Sequence, residues 1–313
     1  MTAARPPRLS IGLPVYNGER YIGYTLDSIC RQTFRDFELI ICDNASTDGT
    51  ERLCLEYAAQ DARIKYFRNA SNIGANQNWY RVLDLASADY FASVAHDDIY
   101  EPDYMRRCIE VLEGDPATVV CYSKTKIIDA TGAVTGIIGE EVDTTSDEPH
   151  ERLYQVIHNE HMCIQLYGVM RTSALRRTKV FVGYYGCDRN TLAELALLGK
   201  LRETPEYLFL HRVHSEALGA GIVYGKTTAD LMTIDPGTDW RTASMNGRNN
   251  AIILRNYFSS VARLVQSRAD RVRCYASLGR LLHEQFLERL EGRLRRLAYR
   301  LRRLAGRLRL ADR

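Results

Sequence analysis

Two adjacent aspartates, Asp97 and Asp98, follow the apolar run at residues 90–95. A short apolar run of this kind predicts a buried β-strand. Adjacent carboxylates repel each other and lose solvation when buried, so they are best tolerated beside a divalent cation or a polar ligand. Because ligands bind at the carboxyl ends of the strands in open α/β sheets, the pair predicts a metal site that faces a bound ligand. A solvated turn in which one aspartate caps the next helix is the plainer alternative.

Two earlier predicted strands also end in polar residues. Pro14 and Tyr16 follow the first strand, and Asp43 follows the second. Carboxylates at two strand ends of one sheet edge suit a nucleotide, with one acid for the base or ribose and another for metal and phosphate. Asp48 has a structural explanation instead, because an aspartate three residues before Glu51 is typical of a helix-capping box.

Short strands that alternate with helices position these residues through the first 125 residues of the chain. Strands are predicted at residues 9–13, 37–42, 64–67, 90–95 and 119–123. Helices are predicted at residues 19–31, 50–60, 77–86, 102–113, 151–158 and 188–198. Alternation at this spacing predicts the α/β fold class, with a mostly parallel sheet covered by helices.

The composition is that of a globular protein. With 313 residues, 45% of them hydrophobic and 26% charged, the chain can bury the core of one large domain or two small ones. Eight cysteines are scattered without a C-x-x-C pair, which favours a reducing cytosol over a disulfide framework. We expect no signal peptide, because residues 1–8 are polar and contain proline and no long apolar region follows them. We expect no membrane-spanning segment, because no stretch approaches the roughly 18 apolar residues that a bilayer requires.

Three segments in order resemble the family 2 glycosyltransferases: residues 11–21 (IGLPVYNGERY), residues 43–50 (DNASTDGT) and residues 96–103 (HDDIYEPD). One motif alone is weak, but three in order at the ends of predicted strands are specific. The resemblance covers about residues 8–215. It implies a GT-A fold, a Rossmann-like and mostly parallel sheet flanked by helices, followed here by a helical C-terminal extension.

The resemblance assigns roles to the residues at the strand ends. Pro14, Tyr16 and Asp43 would lie against the nucleoside of a sugar nucleotide. Asp98 would be the direct ligand of Mn²⁺ or Mg²⁺, with Asp97 nearer the ribose or the donor sugar. The motif reads His-Asp-Asp and not a strict Asp-x-Asp, so the division of roles between the two aspartates stays open.

The resemblance also implies a catalytic base at the start of a helix, where Asp188 is the matching residue. A helix N-cap is the alternative role for Asp188. Glu194 is the alternative base, although it lies nearly two turns into the helix and is expected to face solvent. Arg212 and His214 match an Arg-x-His ending in which the histidine can reach the metal or the diphosphate. Arg212 could add to the stabilisation of the diphosphate, and His211 is expected to pack in the core.

The implied activity is inverting transfer of a sugar from a nucleoside-diphosphate sugar (a UDP-, GDP- or dTDP-sugar) to a hydroxyl of a glycan or lipid-linked saccharide. A divalent cation would stabilise the charge that develops on the departing diphosphate, and Asp188 would take the proton of the acceptor hydroxyl. A non-catalytic nucleotide-sugar-binding or scaffold protein of the same fold is the alternative. A dinucleotide-dependent oxidoreductase is disfavoured, because no G-x-G-x-x-G follows the first strand.

The C-terminal end of the chain carries its basic charge. Residues 289–313 hold ten arginines against Glu291 and Asp312, which gives +8 and leaves −5 for the rest of a chain of net charge +3. Leucines from Leu287 to Leu308 recur at intervals of three and four residues. This spacing predicts an amphipathic helix at about residues 284–311.

A leucine stripe flanked by arginines suits the surface of an anionic membrane. Packing within the protein or in a homodimer is an alternative, although facing arginines would repel each other in a parallel dimer. Nucleic-acid binding is disfavoured because the rest of the chain is acidic. We therefore expect a GT-A domain at residues 1–218 and a helical region at residues 219–313. The protein is expected to be cytoplasmic and peripheral on the inner face of the cell membrane.

Overall fold

A computed structural model describes residues 5–138, 142–159, 162–179, 186–215 and 248–284, together with residues 286, 287 and 295. The first elements are β1 (Leu9–Val15), α1 (Ile22–Cys30), β2 (Phe37–Asp43), α2 (Thr50–Gln60), β3 (Ile64–Arg68), α3 (Ala75–Leu85), β4 (Tyr90–Ser93), β5 (Ile99–Tyr100) and α4 (Tyr104–Gly114). They are followed by β6 (Thr118–Ile128), β7 (Val134–Ile137), α5 (Pro149–His158), β8 (Val169–Arg171), α6 (Thr172–Leu175), α7 (Cys187–Leu198), β9 (Lys200–Arg212) and α8 (Arg248–Leu264). A further helix occupies residues 268–284.

Four parallel strands form one half of the sheet, in the order β3-β2-β1-β4. Every residue of β2 is buried, as expected for a strand of a parallel sheet whose two faces are both covered. Val15 pairs with Asp43, and Gly12 pairs with Ser93. The residues that follow β1, β2 and β4 therefore meet at one edge of the sheet.

The other half of the sheet continues as β8-β6-β9-β5, and β7 pairs with β6. β9 runs parallel to β6 and antiparallel to β5, with Ile99 opposite Leu210. The strands β5, β8 and β9 are not predicted by the sequence pattern. β5 and β8 have only two and three residues. β9 carries Pro205, which lies where the register with β6 shifts between Thr204 and Tyr207, so pairing in the sheet determines this strand more than its own residues do.

The helix α3 packs closely over β1 at Gly12. A Cβ atom at this position would lie 2.3 Å from Cγ1 of Val82 on α3 and 2.7 Å from Cζ of Phe91 on β4. Protein interiors are close-packed, so neither neighbour can give way freely. The absence of a side chain at Gly12 is therefore a requirement of the packing.

The C-terminal helices share a core with the α/β part of the chain. α8 and the helix at residues 268–284 pack on α5 and α7 through buried apolar side chains: Leu153, Ile157, Ala193, Leu197, Tyr257, Val261, Leu264, Val265, Cys274, Leu278 and Leu281. The hydroxyl of Tyr154 on α5 also donates to Glu284 at 2.8 Å. The α/β class with a helical C-terminal region is thus confirmed.

Some expectations fall partly beyond what the structure describes. The boundary at residue 218 stays a prediction, because residues 216–247 lie outside the described residues. Of the amphipathic helix predicted at residues 284–311, residues 284, 286, 287 and 295 are described, and they are helical. Among the described helices, none is both long enough and apolar enough to cross a membrane. All eight cysteines are free thiols.

Candidate active site

Hydrogen bonds join the loop after β1 to the loop after β2. The Asn17 N–H donates to Ser46 Oγ at 2.9 Å, and the Thr47 N–H donates to Asn17 Oδ1 at 2.8 Å. The Gly18 N–H donates to Thr50 Oγ1 at 2.8 Å. Asn17 has a φ of 51°, a left-handed conformation that is strained for most non-glycine residues and that these bonds hold in place. The two loops therefore form one fixed surface at the sheet edge.

Asp48 has structural contacts, but they are not the capping box that its spacing to Glu51 predicts, since no side chain caps the start of α2. Its Oδ1 accepts the Thr50 N–H at 3.1 Å, and its Oδ2 accepts the Glu19 N–H at 3.0 Å. Glu19 in turn accepts the Gly49 N–H at 2.9 Å. Burial raises the pKa of Asp48, but the hydrogen bonds from Thr50 and Glu19 outweigh burial and hold that pKa below its usual value. Asp48 and Glu19 therefore tie the loop after β1 to the start of α2.

Asp43, the last residue of β2, is completely buried and is held through both carboxylate oxygens. Its Oδ1 accepts the Ser46 N–H at 2.8 Å. Its Oδ2 accepts the Tyr66 hydroxyl and the Arg68 guanidinium, each at 2.7 Å. The carboxylate therefore fixes the turn after β2.

Pro14 and Tyr16 stand at the same edge as Asp43. Pro14 pairs with Cys42 in the next strand, and both Pro14 and Tyr16 are partly exposed. The structure thus brings together the three residues that were expected to face a nucleoside. Their contact with a nucleoside stays a prediction.

Asp98 is completely buried, with no exposed surface. Its Oδ1 accepts the Arg212 N–H at 2.8 Å and lies 3.1 Å from Nδ1 of His211. Its Oδ2 is buried, and no group of the described residues forms a hydrogen bond with it. Burial raises the pKa of Asp98, and the contact with His211 opposes that rise. Asp98 therefore joins the segment after β4 to the end of β9.

Asp97 faces His214 beside this buried carboxylate. Its Oδ2 lies 2.9 Å from Nε2 of His214, and its side chain is 14% exposed. Burial raises the pKa of Asp97, but the hydrogen bond from His214 and the nearby His96 outweigh burial and lower that pKa. The His214 ring lies 4.6 Å from the ring of Tyr21, and its buried Nδ1 has no hydrogen-bond partner within the part of the chain that the structure describes.

Arg212 is buried, and its guanidinium holds main-chain carbonyls. Nε donates to the Asp97 carbonyl at 2.8 Å, and Nη1 donates to the Asp129 carbonyl at 2.9 Å. The guanidinium carbon lies 4.9 Å from the ring centre of Tyr21 and 5.6 Å from that of Tyr24, as in cation–π pairs. These contacts give Arg212 a positioning role, and its predicted contact with a diphosphate stays a prediction.

Asp188 lies in the first turn of α7 and is partly exposed. Its Oδ1 accepts the Arg189 N–H at 2.9 Å. Loss of solvation, followed by the charges of Asp98, Asp97 and Asp188, raises the pKa of Tyr167.

Sequence reasoning missed Tyr167 and gave His211 a packing role only. The Tyr167 ring stacks on the rings of Phe209 and His211, at centroid distances of 5.6 and 6.3 Å. Its main-chain carbonyl accepts the Tyr104 hydroxyl at 2.9 Å. Burial lowers the pKa of His211, but Asp98 outweighs burial and raises it. No spacing in the sequence links residues so far apart.

The expectation that Glu194 faces solvent is wrong. Its side chain is 2% exposed, because α8 packs over this side of α7. Its carboxylate pairs with Arg263 of α8. The sequence of α7 alone could not reveal a partner that lies nearly 70 residues further along the chain.

No group of three or more His, Cys, Asp or Glu side chains within the described ranges could hold a metal alone. Asp97 and His214 still offer a carboxylate and an imidazole 2.9 Å apart at the sheet edge. Mn²⁺ accepts carboxylate ligands, and ions in nucleotide sites are commonly held by one or two protein groups together with phosphate oxygens. This pair therefore fits a divalent cation that is bound jointly with a diphosphate.

Proteins with similar sequences include several that are described as glycosyltransferases. An uncharacterized glycosyltransferase of Haemophilus influenzae is 29% identical over 221 residues, which cover 66% of this chain and 66% of the relative. Chondroitin synthase of Escherichia coli is 32% identical over 132 residues, which cover 42% of this chain and 19% of the relative. The chain thus spans less than two thirds of either relative.

The fold also has a solved counterpart. The crystal structure of Staphylococcus aureus TarS residues 1–349 in complex with UDP superposes with a TM-score of 0.54 at 15% sequence identity, over 90% of this chain and 92% of that chain. The GT-A fold that the sequence implied is therefore confirmed. The model of the family described as "Glycosyl transferase family 2" matches residues 10–181. The chain accordingly belongs to glycosyl transferase family 2.

Proposed function

We propose that the protein transfers a sugar, with inversion, from a nucleoside-diphosphate sugar to a hydroxyl of a glycan or lipid-linked saccharide. The observation that carries the proposal is the meeting of Asp97 and His214 at the carboxyl edge of the sheet, where the two side chains lie 2.9 Å apart. Solved TarS structures hold UDP and UDP-GlcNAc, so UDP-sugars are the first donors to test. GDP- and dTDP-sugars are the other candidates.

In this proposal, the nucleoside lies against Pro14 and Tyr16, and the buried Asp43 orders the turn behind them. The carboxylate of Asp43 is held by three donors and fixes the turn after β2. The hydrogen bonds between Asn17 and Ser46 fix the neighbouring loop. A surface that is already ordered lowers the entropic cost of binding a nucleotide.

We assign the divalent cation, Mn²⁺ or Mg²⁺, to Asp97 and His214. The sequence favoured Asp98 as the direct ligand, but complete burial and the contacts with Arg212 and His211 suit a supporting role. Asp98 would hold the strand ends so that Asp97 faces His214. When bound, the cation would stabilise the negative charge of the departing diphosphate. Arg212 supports the same region by holding the Asp97 carbonyl.

Asp188 is the proposed general base. An ionised carboxylate within hydrogen-bond reach of the acceptor hydroxyl takes its proton as that oxygen attacks the anomeric carbon. Attack on the face opposite the departing diphosphate inverts the configuration at that carbon. The position of Asp188 in the first turn of α7, partly exposed, leaves it accessible to an acceptor.

We propose that residues 284–311 bind the anionic inner face of the cell membrane and bring the enzyme to a lipid-linked acceptor. Phe286 and Leu287, in the described part of this segment, are 62% and 43% exposed. Each arginine near an anionic surface adds about 1 kcal/mol of attraction. A homodimer through the same leucine stripe is the competing arrangement, and it would bring arginines against arginines.

The test is hydrolysis and transfer with a panel of nucleotide sugars and Mn²⁺, with and without EDTA, for the wild type, Asp97→Asn and Asp188→Asn. We expect EDTA-sensitive release of one nucleoside diphosphate, lost in Asp97→Asn. Asp188→Asn should abolish transfer to an acceptor while binding of the donor persists. A donor that binds in a metal-dependent way without turnover in any acceptor panel would favour a non-catalytic nucleotide-sugar-binding protein.

A further inference from the structure

Glu194 is a buried carboxylate that the proposed mechanism does not use. Its Oε1 accepts the Ser260 hydroxyl at 2.5 Å and pairs with the Arg263 guanidinium, and its Oε2 accepts the Lys179 N–H at 2.5 Å. A buried carboxylate is costly unless it is both paired and hydrogen-bonded. The four groups therefore depend on one another, and loss of one leaves the others incompletely satisfied.

Three separate segments meet at this carboxylate. Glu194 lies in α7 and Arg263 in α8, while the segment after α6 contributes the main chain. Arg263 also donates to the carbonyl of Arg177 in that segment at 2.5 Å. A second bond between α7 and α8 runs from the Asn190 side chain to the carbonyl of Ile253, at 3.1 Å. α8 thus forms hydrogen bonds with α7 and with the segment after α6.

Glu194 and Asp188 stand on different sides of α7. The two residues are six positions apart in the helix, a rotation of roughly 240° at 3.6 residues per turn. The side with Glu194 is buried against α8, whereas Asp188 is partly exposed. α8 therefore holds the helix from a side away from the proposed base.

We propose that Glu194, Ser260 and Arg263 form a clamp through which the C-terminal helices hold α7, and with it Asp188, at the position that proton transfer requires. The inference rests on the proposed function. The family match ends at residue 181, so all three clamp residues lie beyond it. Glu194 acts through α7 and is a positioning residue. In this proposal, the C-terminal helices contribute to catalysis by positioning Asp188.

The test compares Arg263→Met and Ser260→Ala with the matched controls Arg255→Met and Ser259→Ala, which change exposed residues of the same helix. With the donor that the wild type turns over, we expect kcat to fall about 10- to 100-fold in Arg263→Met, as for other misplaced catalytic groups. The dissociation constant for UDP should stay within about twofold of wild type. Both controls should match the wild type, and Arg263→Lys should recover much of kcat.

A merely structural role would give a different result. It would lower the melting temperature and leave kcat of the folded enzyme unchanged, which would overturn the clamp. The double variant Arg263→Met with Asp188→Asn should have a kcat little lower than that of Asp188→Asn alone, because both changes act on one step. A fully additive loss of kcat would also overturn the clamp. If Arg263→Met does not fold, Ser260→Ala carries the same test. If the wild type turns over no donor with any acceptor, that result would instead contradict the proposed function.

Discussion

Asp97 and His214 are more than a hundred residues apart in the sequence, and their side chains lie 2.9 Å from each other. The contact depends on β9, whose pairing with β5 brings the chain back past the two aspartates. The adjacent Asp98 uses the same strand end in another way, since its carboxylate binds the main chain of Arg212. The two adjacent aspartates therefore have different surroundings. We expect substitution of Asp97 to weaken Mn²⁺-dependent turnover, and substitution of Asp98 to lower the free energy of unfolding.

Replacing His214 with alanine is expected to lower donor turnover about 100-fold, because stabilisation by a bound cation is worth several kcal/mol. Asp97→Asn should have a similar effect. The measurement is initial rate against Mn²⁺ concentration, in which both variants should need far more Mn²⁺. His158→Ala, at an exposed position on α5, is the control. Wild-type Mn²⁺ dependence in both variants would contradict the assignment.

Asp98→Ala is expected to lower the free energy of unfolding by about 1–3 kcal/mol, the cost of leaving a buried donor without its acceptor. The Arg212 N–H is the donor that loses its partner. Urea unfolding of Asp98→Ala and Asp97→Ala measures the difference, and the loss should be larger for Asp98. A stable Asp98→Ala protein that has lost its Mn²⁺ dependence would restore the original assignment of Asp98 as the metal ligand.

Gly12→Ala is expected to destabilise the protein by about 1–3 kcal/mol, because the added methyl group overpacks the contact with Val82 and Phe91. Gly114→Ala is the matched control, since a Cβ there meets no atom of the described residues within 4 Å. It lies at the end of α4 and should stabilise by about 0.4–1 kcal/mol through the unfolded chain. Chemical denaturation of both variants tests the pair, and equal stabilities would refute the packing argument.

Glu38 is expected to contribute to acid sensitivity. Burial raises its pKa, but hydrogen bonds from Lys65, Ser10 and Ser87 outweigh burial and lower that pKa below 4.5. Its contribution to stability is therefore complete above about pH 4.5 and is lost as the pH falls through the folded-state pKa. Glu38→Gln lacks this dependence, so its stability deficit relative to wild type should shrink below pH 4.5. A deficit that stays constant from pH 7 to pH 3 would refute the expectation.

Removal of residues 288–313 is expected to abolish binding to vesicles that contain phosphatidylserine. The full chain should sediment with such vesicles at low salt and dissociate as the salt concentration rises, because screening weakens the attraction. Neutral phosphatidylcholine vesicles are the control for apolar binding alone. A tail that drives dimerisation without lipid binding, measured by light scattering, would support the competing arrangement.

The parallel half of the fold could be predicted because its signals are local. α2 begins and ends where its pattern predicts, at Thr50 and Gln60, and the apolar runs of β1 and β2 are unambiguous. β5 and β9 could not be predicted, because each becomes a strand by pairing with a distant partner. The burial of Glu194 has the same origin, since Arg263 comes from α8. Residue types and spacing identify the candidate acids of the site, but they do not show which of these acids are buried and which are partly exposed.

The continuous path of β9 into Val213 and His214 limits how this protein can diverge. His211, Arg212 and His214 meet Asp97 and Asp98 in a single register. Side chains of a strand alternate between its two faces. Gain or loss of one residue in β9 would therefore turn His211 away from Asp98, and it would also move Arg212 and His214 to the wrong positions. Insertions and deletions within β9 should be eliminated by selection.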